Sequence, residues 1–415
     1  MKTAKPFDVS KELVWQAYKF VKANKGAAGV DEQTLIEFDR DLSNNLYRIW
    51  NRMASGSYFP PPVLAVGIPK KSGGERVLGI PTVSDRIAQM VVKLRLEPKV
   101  EPHFHENSYG YRPGKSAHQA LEVTRRRCWD YDWVLEFDIR GLFDNIDHEL
   151  LMKAVRLRTD CKWTILYIQR WLTAPMQMQN GQVVDRVKGT PQGGVISPLL
   201  ANLFMHYAFD KWMATHFQHI PFCRYADDGL LHCRTLQDAL EMRQRIEVRF
   251  KECGLELHPE KTKIVYCKDN VRRKEYDCIR FDFLGYTFQP RWAITRFGRV
   301  FENFCPAVSN VSLKAMKQNV RQWKLQFQND KSIEDIAAKY KAKIRGWINY
   351  YGRFYASQLY KLAHHVDQAL MKWAMRKYKK LQGHYKRVRR WLRGHIEKRT
   401  ELFPHWRYSL KQWAR

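Results

Sequence analysis

Three carboxylates carry the sharpest chemical signal in the chain. Asp227 and Asp228 lie in Phe222-Cys-Arg-Tyr-Ala-Asp-Asp-Gly-Leu-Leu-His-Cys233, between apolar strand-forming runs and just ahead of Gly229. Asp-Gly in that setting is a strong hairpin signal and predicts both acids at the tip of a tight turn. Turn chemistry alone explains an isolated Asp at such a place. Asp138 shifts the balance, because it closes the strand-like run Trp133-Val-Leu-Glu-Phe-Asp-Ile139, where a charge is costly unless paired or bound to a metal. Three carboxylates on two adjacent strands suit two Mg²⁺ ions, which prefer hard oxygen ligands and support in-line phosphoryl transfer.

Other residues could serve the same chemistry. Val63–Lys70 and Glu75–Ile80 flank Lys71-Ser-Gly-Gly74 and read as a hairpin that brings Lys70 and Arg76 together. That pair could grip a triphosphate, Arg bidentately, or be an ordinary solvated pair. Phe143, five residues beyond Asp138, can wall the same cleft or pack in the core. In Gly189-Thr-Pro-Gln-Gly-Gly-Val-Ile-Ser197, the glycines allow close backbone approach to a ligand, and Gln192 among small residues points to function. Ser197 with Pro198 reads as the cap of a helix running to about Met213. Lys261 could protonate a departing pyrophosphate or be a surface lysine. Arg112 and Lys115, beside Tyr109 and Tyr111, suit a nucleic-acid strand by charge and stacking.

The elements that must position these groups form a long, basic chain. With 415 residues and 45% hydrophobic content it can bury a large core, and its net charge of +30 names a polyanion as the simplest partner. Basic residues spread along the chain among Trp, Tyr and Phe weaken the rival of a membrane surface. Residues 9–24 read as an amphipathic helix with Leu13, Ala17, Phe20 and Val21 on its buried face. The eight cysteines show no C-x-x-C spacing, so no zinc site is expected and reduced thiols are. Without a signal-peptide core or a long apolar run, the expectation is a soluble, cytoplasmic protein. From about residue 312 the pattern is helical, and the last 75 residues hold twenty Lys/Arg against three Asp/Glu, threaded with aromatics from Trp347 to Trp391. On a helix, Lys386, Arg389, Arg390 and Arg393 share one face able to follow a phosphate backbone.

These motifs, in this order, resemble those of a known family. Phe137-Asp-Ile-Arg-Gly-Leu-Phe-Asp144, Gly189–Pro198 and Tyr225-Ala-Asp-Asp228 look like successive palm motifs of reverse transcriptases. Asn24–Asp31, Ile68-Pro-Lys70, Leu78–Thr82 and Ile344-Arg-Gly-Trp-Ile-Asn-Tyr-Tyr351 are similar to the N-terminal extension, fingers and thumb of group II intron reverse transcriptase/maturases. The resemblance implies an α+β right-hand fold: an N-terminal extension over 1–60, fingers and palm over 61–300, an α-helical thumb or X domain over 301–375 and a short basic tail over 376–415. It implies an RNA-directed DNA polymerase that copies intron RNA, binds it to assist splicing and mobility, and uses two Mg²⁺ ions, dNTPs and a DNA primer or target. Asp138, Asp227 and Asp228 would carry the metals. Lys70 and Arg76 would hold the triphosphate, Phe143 would exclude a 2′-hydroxyl, Gln192 would line the nascent base pair and Lys261 would act as general acid.

Two departures qualify this. Glu32 follows Asp31 where the family often has Gly, and no cysteine follows Cys305, where many relatives carry a cysteine-containing endonuclease. That module is expected to be absent, and priming from existing DNA ends to replace second-strand cleavage. Two rival functions stand beside this reading: a repurposed reverse transcriptase in phage defence or DNA repair, and a non-catalytic RNA-binding splicing factor, which has no need of all three acids.

Overall fold

The computed structural model describes residues 5–69, 75–294 and 297–413 and divides into two compact units, Met1–Ser116 with Leu135–Thr262, and Ala117–Val134 with Lys263–Arg415. This division differs from the expected boundaries. The expected thumb and basic tail fall in one unit, together with an excursion from the middle of the chain.

In the first unit, Val63–Pro69 and Glu75–Ile80 form the expected antiparallel hairpin, with Ile68 opposite Arg76. Met176–Gln177 runs parallel to its inner strand, and Val183–Val184 completes that sheet. A second sheet sets the strand Trp133–Asp138, whose residues from Leu135 on belong to this unit, beside Asp228–Cys233, which pairs in turn with Phe222–Tyr225. The Trp133–Asp138 strand is buried almost throughout, which explains its apolar run of Trp-Val-Leu. Helix Leu236–Glu252 opens with a Thr235/Asp238 capping box and buries Ala239, Met242, Ile246 and Phe250, the spacing of one helical face.

The first helix is Lys11–Asn24 and buries Val14, Ala17, Tyr18 and Val21, whereas Phe20 is 52% exposed. The buried stripe is therefore rotated away from Leu13 and Phe20. At Ser197 the expected cap is displaced by one residue: Ile196 caps the helix, and Ser197 is its first residue, accepting a hydrogen bond from Thr190 Oγ1 at 2.8 Å. That helix ends at Met205 and passes through one π turn, His206–Asp210, before Lys211–His216.

The second unit packs the antiparallel strands Phe281–Phe283, Tyr286–Ile294 and Val300–Val308 with helices that include Ala117–Asp130, Ile333–Tyr351 and Tyr360–Lys377. Its core contains Ile344, Leu370, Trp373, Val388, Leu392, Ile396 and Trp406. The segment after 376 thus belongs to this core. Helix Tyr385–Lys398 buries Val388, Leu392 and Ile396, and buried Asp367 accepts hydrogen bonds from His405 Nε2 at 3.0 Å and Ser409 Oγ at 2.6 Å. The aromatic density also finds its reason here: Trp373 and Phe354 are buried, and Trp323 stacks on Trp347 at 5.9 Å. Most of these rings build the core. No helix among the described residues is long and apolar enough to cross a membrane.

Candidate active site

Asp138 ends its strand and is held in place by the 256–262 segment. Its carbonyl accepts from His258 N at 2.8 Å, and Arg140 N donates to Glu256 O at 2.8 Å. The turn at 258–262 closes when Lys261 N and Thr262 N donate to the His258 carbonyl. Lys261 is carried back by this turn, and its ammonium reaches Asp138 Oδ2 at 2.5 Å.

The hairpin carrying the other two acids has a register that the sequence reading missed. Tyr225 pairs with Asp228, so the two-residue loop is Ala226-Asp227 and Asp228 already belongs to the second strand. Ala226, not a glycine, takes the left-handed conformation, at φ 58°. Gly229 is instead needed inside the strand, where a Cβ would run into the Phe137 ring. The hairpin is tied from below by Arg224, whose side chain is wholly buried. Its guanidinium grips both oxygens of buried Asp210, at 2.7 and 2.6 Å, and donates to Ser108 Oγ, Asn202 Oδ1 and the Ala226 carbonyl. Gly110 lets the 107–111 loop close on the same turn, since a Cβ there would lie 2.5 Å from Ala226 N. Arg224 and Asp210 are supporting residues that the sequence reading did not find; the only local signal was an arginine among apolar strand residues.

The loop Gly189–Ser197 forms the opposite wall. Gly189 N donates to Ile146 O and Thr190 N to Phe143 O, both at 2.7 Å, while Gly79 N donates to the Gln192 carbonyl at 2.8 Å. Gly193, at φ 125°, would press a Cβ on the Gly79 carbonyl, so the close approach these glycines permit is to protein rather than to a ligand. Buried Gln89 accepts from Val195 N at 2.8 Å and donates to Asp85, which also receives Tyr58 and Trp171. Burial pushes the Asp85 carboxyl up.

These pieces line a cleft of about 940 Å³ that includes Arg76, Asp138, Phe143, Gln192, Asp227 and Lys261. Asp228 stands at its edge and keeps an exposed surface. The acids oppose one another. Desolvation raises the Asp227 carboxyl, with Asp138 pushing the same way. Asp228 is raised to about 7 by desolvation, then by the charges of Asp227 and Asp138. Lys261 is held more firmly protonated, chiefly by its bond to Asp138. Among the described residues no three acids, histidines or cysteines are drawn tightly around one point, and Lys261 is the cation that meets Asp138. The donor set, hard oxygens whose mutual repulsion Lys261 only partly offsets, fits divalent cations.

Residues 68–288 match the family described as reverse transcriptase (RNA-dependent DNA polymerase), and residues 313–396 match the group II intron maturase-specific domain. The chain belongs to the reverse transcriptase family, in the branch that carries a maturase domain. Protein YkfC of Escherichia coli K12 is 32% identical over 322 residues, covering 66% of this chain and 80% of that protein. Group II intron-encoded protein LtrA of Lactococcus lactis is 38% identical over 206 residues, 49% of this chain, so the match spans about a third of LtrA's length. Telomerase from Candida albicans, solved with a TWJ fragment of telomeric RNA, overlays with a TM-score of 0.47 at 14% identity over 81% of this chain and 62% of that one.

In this member of the reverse transcriptase family the remaining expected site residues divide. Lys70 lies outside the described residues. Arg76 lines the cleft but donates its Nε to Gln192 Oε1. Phe143, only 8% exposed, both lines the cleft and packs in the core. Arg112 is a correction: four of its N–H bonds go to Glu101, His105 and Ser108, and its guanidinium lies 5.2 Å over Phe104. It braces its own loop and offers no open contact to a strand. Lys115 also turns inward, donating to the Glu106 carbonyl at 2.9 Å and lying over Tyr109. Tyr111 stands near enough to Asp227 for that charge, after desolvation, to raise its hydroxyl's pKa.

On helix Tyr385–Lys398, the side chains of Lys386, Arg389, Arg390 and Arg393 are exposed as expected, but Arg393 is paired with Glu397 at 2.8 Å. Beside it, Arg387, Arg390, Trp391, Gly394, His395 and Lys398 line a groove of about 410 Å³, with Gly394 as its notch and no acid among these lining residues.

This geometry sets two expectations. Asp210→Ala leaves a buried guanidinium without its counter-charge and should cost about 3–5 kcal/mol. Urea unfolding measures it, and a loss below about 1 kcal/mol would show that the pair is replaceable. Asp228, raised from 3.8 to about 7, holds its proton more tightly folded than unfolded. Its stabilising contribution is therefore present below about 4 and lost as pH rises through about 7. With divalent cations chelated, Asp228→Asn should gain Tm over wild type as pH rises across that window. A constant Tm difference would contradict it.

Proposed function

We propose that the chain is an RNA-directed DNA polymerase of group II intron type, which works in the cytoplasm, copies intron RNA into DNA from a DNA primer, and binds that RNA to assist splicing and mobility. The observation that carries the reading is the convergence of Asp138, Asp227 and Lys261 on one cleft lined also by Phe143, Gln192 and Arg76, with Asp228 close enough for the Asp227 and Asp138 charges to raise its pKa. Asp138 and Asp227 would hold two Mg²⁺ ions, with Asp228 the less direct ligand, and bound there the ions would supply Lewis-acid stabilisation of the charge that develops in phosphoryl transfer. Arg76 offers its guanidinium fork to the incoming triphosphate. Phe143, fixed by core packing, presents a rigid wall where a ribose 2′-hydroxyl would lie. Lys261, kept protonated by Asp138, brings a transferable proton to the cleft for the departing pyrophosphate.

The second unit supplies the RNA-holding surface in this reading. Charge supports it: among the described residues the groove over Gly394 is lined by three cations and no carboxylate, with the Trp391 ring for a base to stack on.

Asp227→Asn with Asp228→Asn should cut primer extension on an RNA template to below about 2% while RNA affinity stays within about threefold, because phosphate contacts dominate binding. Residual synthesis well above that level would remove these acids from the catalytic role. Gly394→Leu tests the groove without altering charge. Its Cβ would meet no atom within 4 Å, and leaving glycine favours the helix by up to about 1 kcal/mol, so misfolding is no confounder. Filter binding of structured RNA should weaken about fivefold or more with an unchanged salt slope, while Gly346→Leu, equally open, serves as the control. Equal affinity for both variants would make the groove a solvated face.

A further inference from the structure

Asp144 has no part in the proposed phosphoryl-transfer chemistry, yet it lines the same cleft. The Gln192 amide is suspended between two charged side chains. Its Nε2 lies 3.2 and 3.0 Å from the two Asp144 oxygens, and its Oε1 accepts from Arg76 Nε. A carboxylate only accepts hydrogen bonds and a guanidinium only donates them. One orientation of the amide therefore satisfies both ends, and the reverse would set NH₂ against guanidinium and carbonyl against carboxylate.

The backbone on both sides is fixed, so this bridge cannot simply drift. Asp144 sits in the short helical turn Leu142–Asn145, its N–H donating to the Gly141 carbonyl at 2.9 Å. Gly189 packs directly on this turn: a Cβ there would lie 2.7 Å from the Asp144 and Phe143 carbonyls. Gln192 is three residues further along the same loop and is anchored through its own carbonyl to Gly79 N.

We propose that Asp144 is a positioning residue of the nucleotide site, acting through Gln192 on Arg76. By fixing the amide's direction, it presents a carbonyl to Arg76 Nε and holds the guanidinium so that its two Nη groups meet a nucleoside triphosphate. This rests on the reading of the cleft as a polymerase site. It also assigns Gln192 an orienting task toward Arg76, in addition to any contact with a base pair.

Single-nucleotide extension on a primed RNA template tests it. Asp144→Ala should raise KM for dNTP about fivefold to tenfold with kcat within about twofold, and Asp144→Asn, which can still accept from Nε2, should recover most of the loss. In a Gln192→Ala background, Asp144→Ala should add less than about twofold, since the route to Arg76 is already cut. An equal penalty in both backgrounds, or no change in KM, overturns the proposal. A second readout needs no activity. In protein labelled with ¹⁵N-glutamine, the Gln192 side-chain amide resonance, identified by its loss in Gln192→Ala, should move upfield in Asp144→Ala. A wild-type protein that makes no DNA would defeat the polymerase reading alone. The amide resonance would still decide on Asp144, an unmoved signal overturning its positioning role and a moved one supporting it.

Discussion

The buried pair between Arg224 and Asp210 is the constraint on which the hairpin carrying Asp227 and Asp228 depends. Both side chains are fully removed from water, and such burial is tolerated only because the guanidinium is met by both Asp210 oxygens, two side-chain oxygens and a carbonyl. The partners come from separate stretches: the π turn at 206–210, the helix before it, the loop at Ser108 and the hairpin itself. A π turn shifts the helix register by one residue and so aims Asp210 at the strand, a device that recurs at functional sites. One desolvated charge thus locks four elements and fixes the height at which Ala226-Asp227 protrudes.

That rigidity has an electrostatic purpose. Asp138, Asp227 and Asp228 repel one another in a partly desolvated setting, and the fold would relax by separating them if the hairpin were free. Lys261 offsets part of this from the far side of Asp138, carried there by a turn whose hydrogen bonds converge on the His258 carbonyl. The opposite wall is made rigid differently, by glycines that let backbone lie on backbone and by buried Asp85 acting through Gln89. The site is therefore held by its surroundings, as a preorganised centre requires.

The second unit solves another problem: displaying many cations without losing its core. Several of its aromatics are turned inward, where Trp373, Trp406 and the Trp323–Trp347 stack supply apolar area, while most of its lysines and arginines stay at the surface. Helix Tyr385–Lys398 shows the division within a single element, with Val388, Leu392 and Ile396 buried and the Arg and Lys side chains outside.

The sequence by itself singled out the three acids, because a charged residue amid strand-forming apolar runs has few physical justifications, and through periodicity it marked the hairpin strands and the helical stretch after about residue 312. It also singled out Lys261 and, by its place among small residues, Gln192, and the fold brings both to the cleft that Asp138 lines. Tertiary structure alone decided the rest. Whether Asp228 is a turn or a strand residue depends on register, which Phe137 settles by leaving room only for Gly229. Whether Arg112 meets a ligand or Glu101 depends on which carboxylate the fold brings to it. The fate of the C-terminal segment depended on its apolar stripe finding a partner surface: in sequence the cations dominate, whereas in space three buried side chains place the helix in the core. Local patterns record which groups a residue can bond to, and only the folded chain decides which of them it meets.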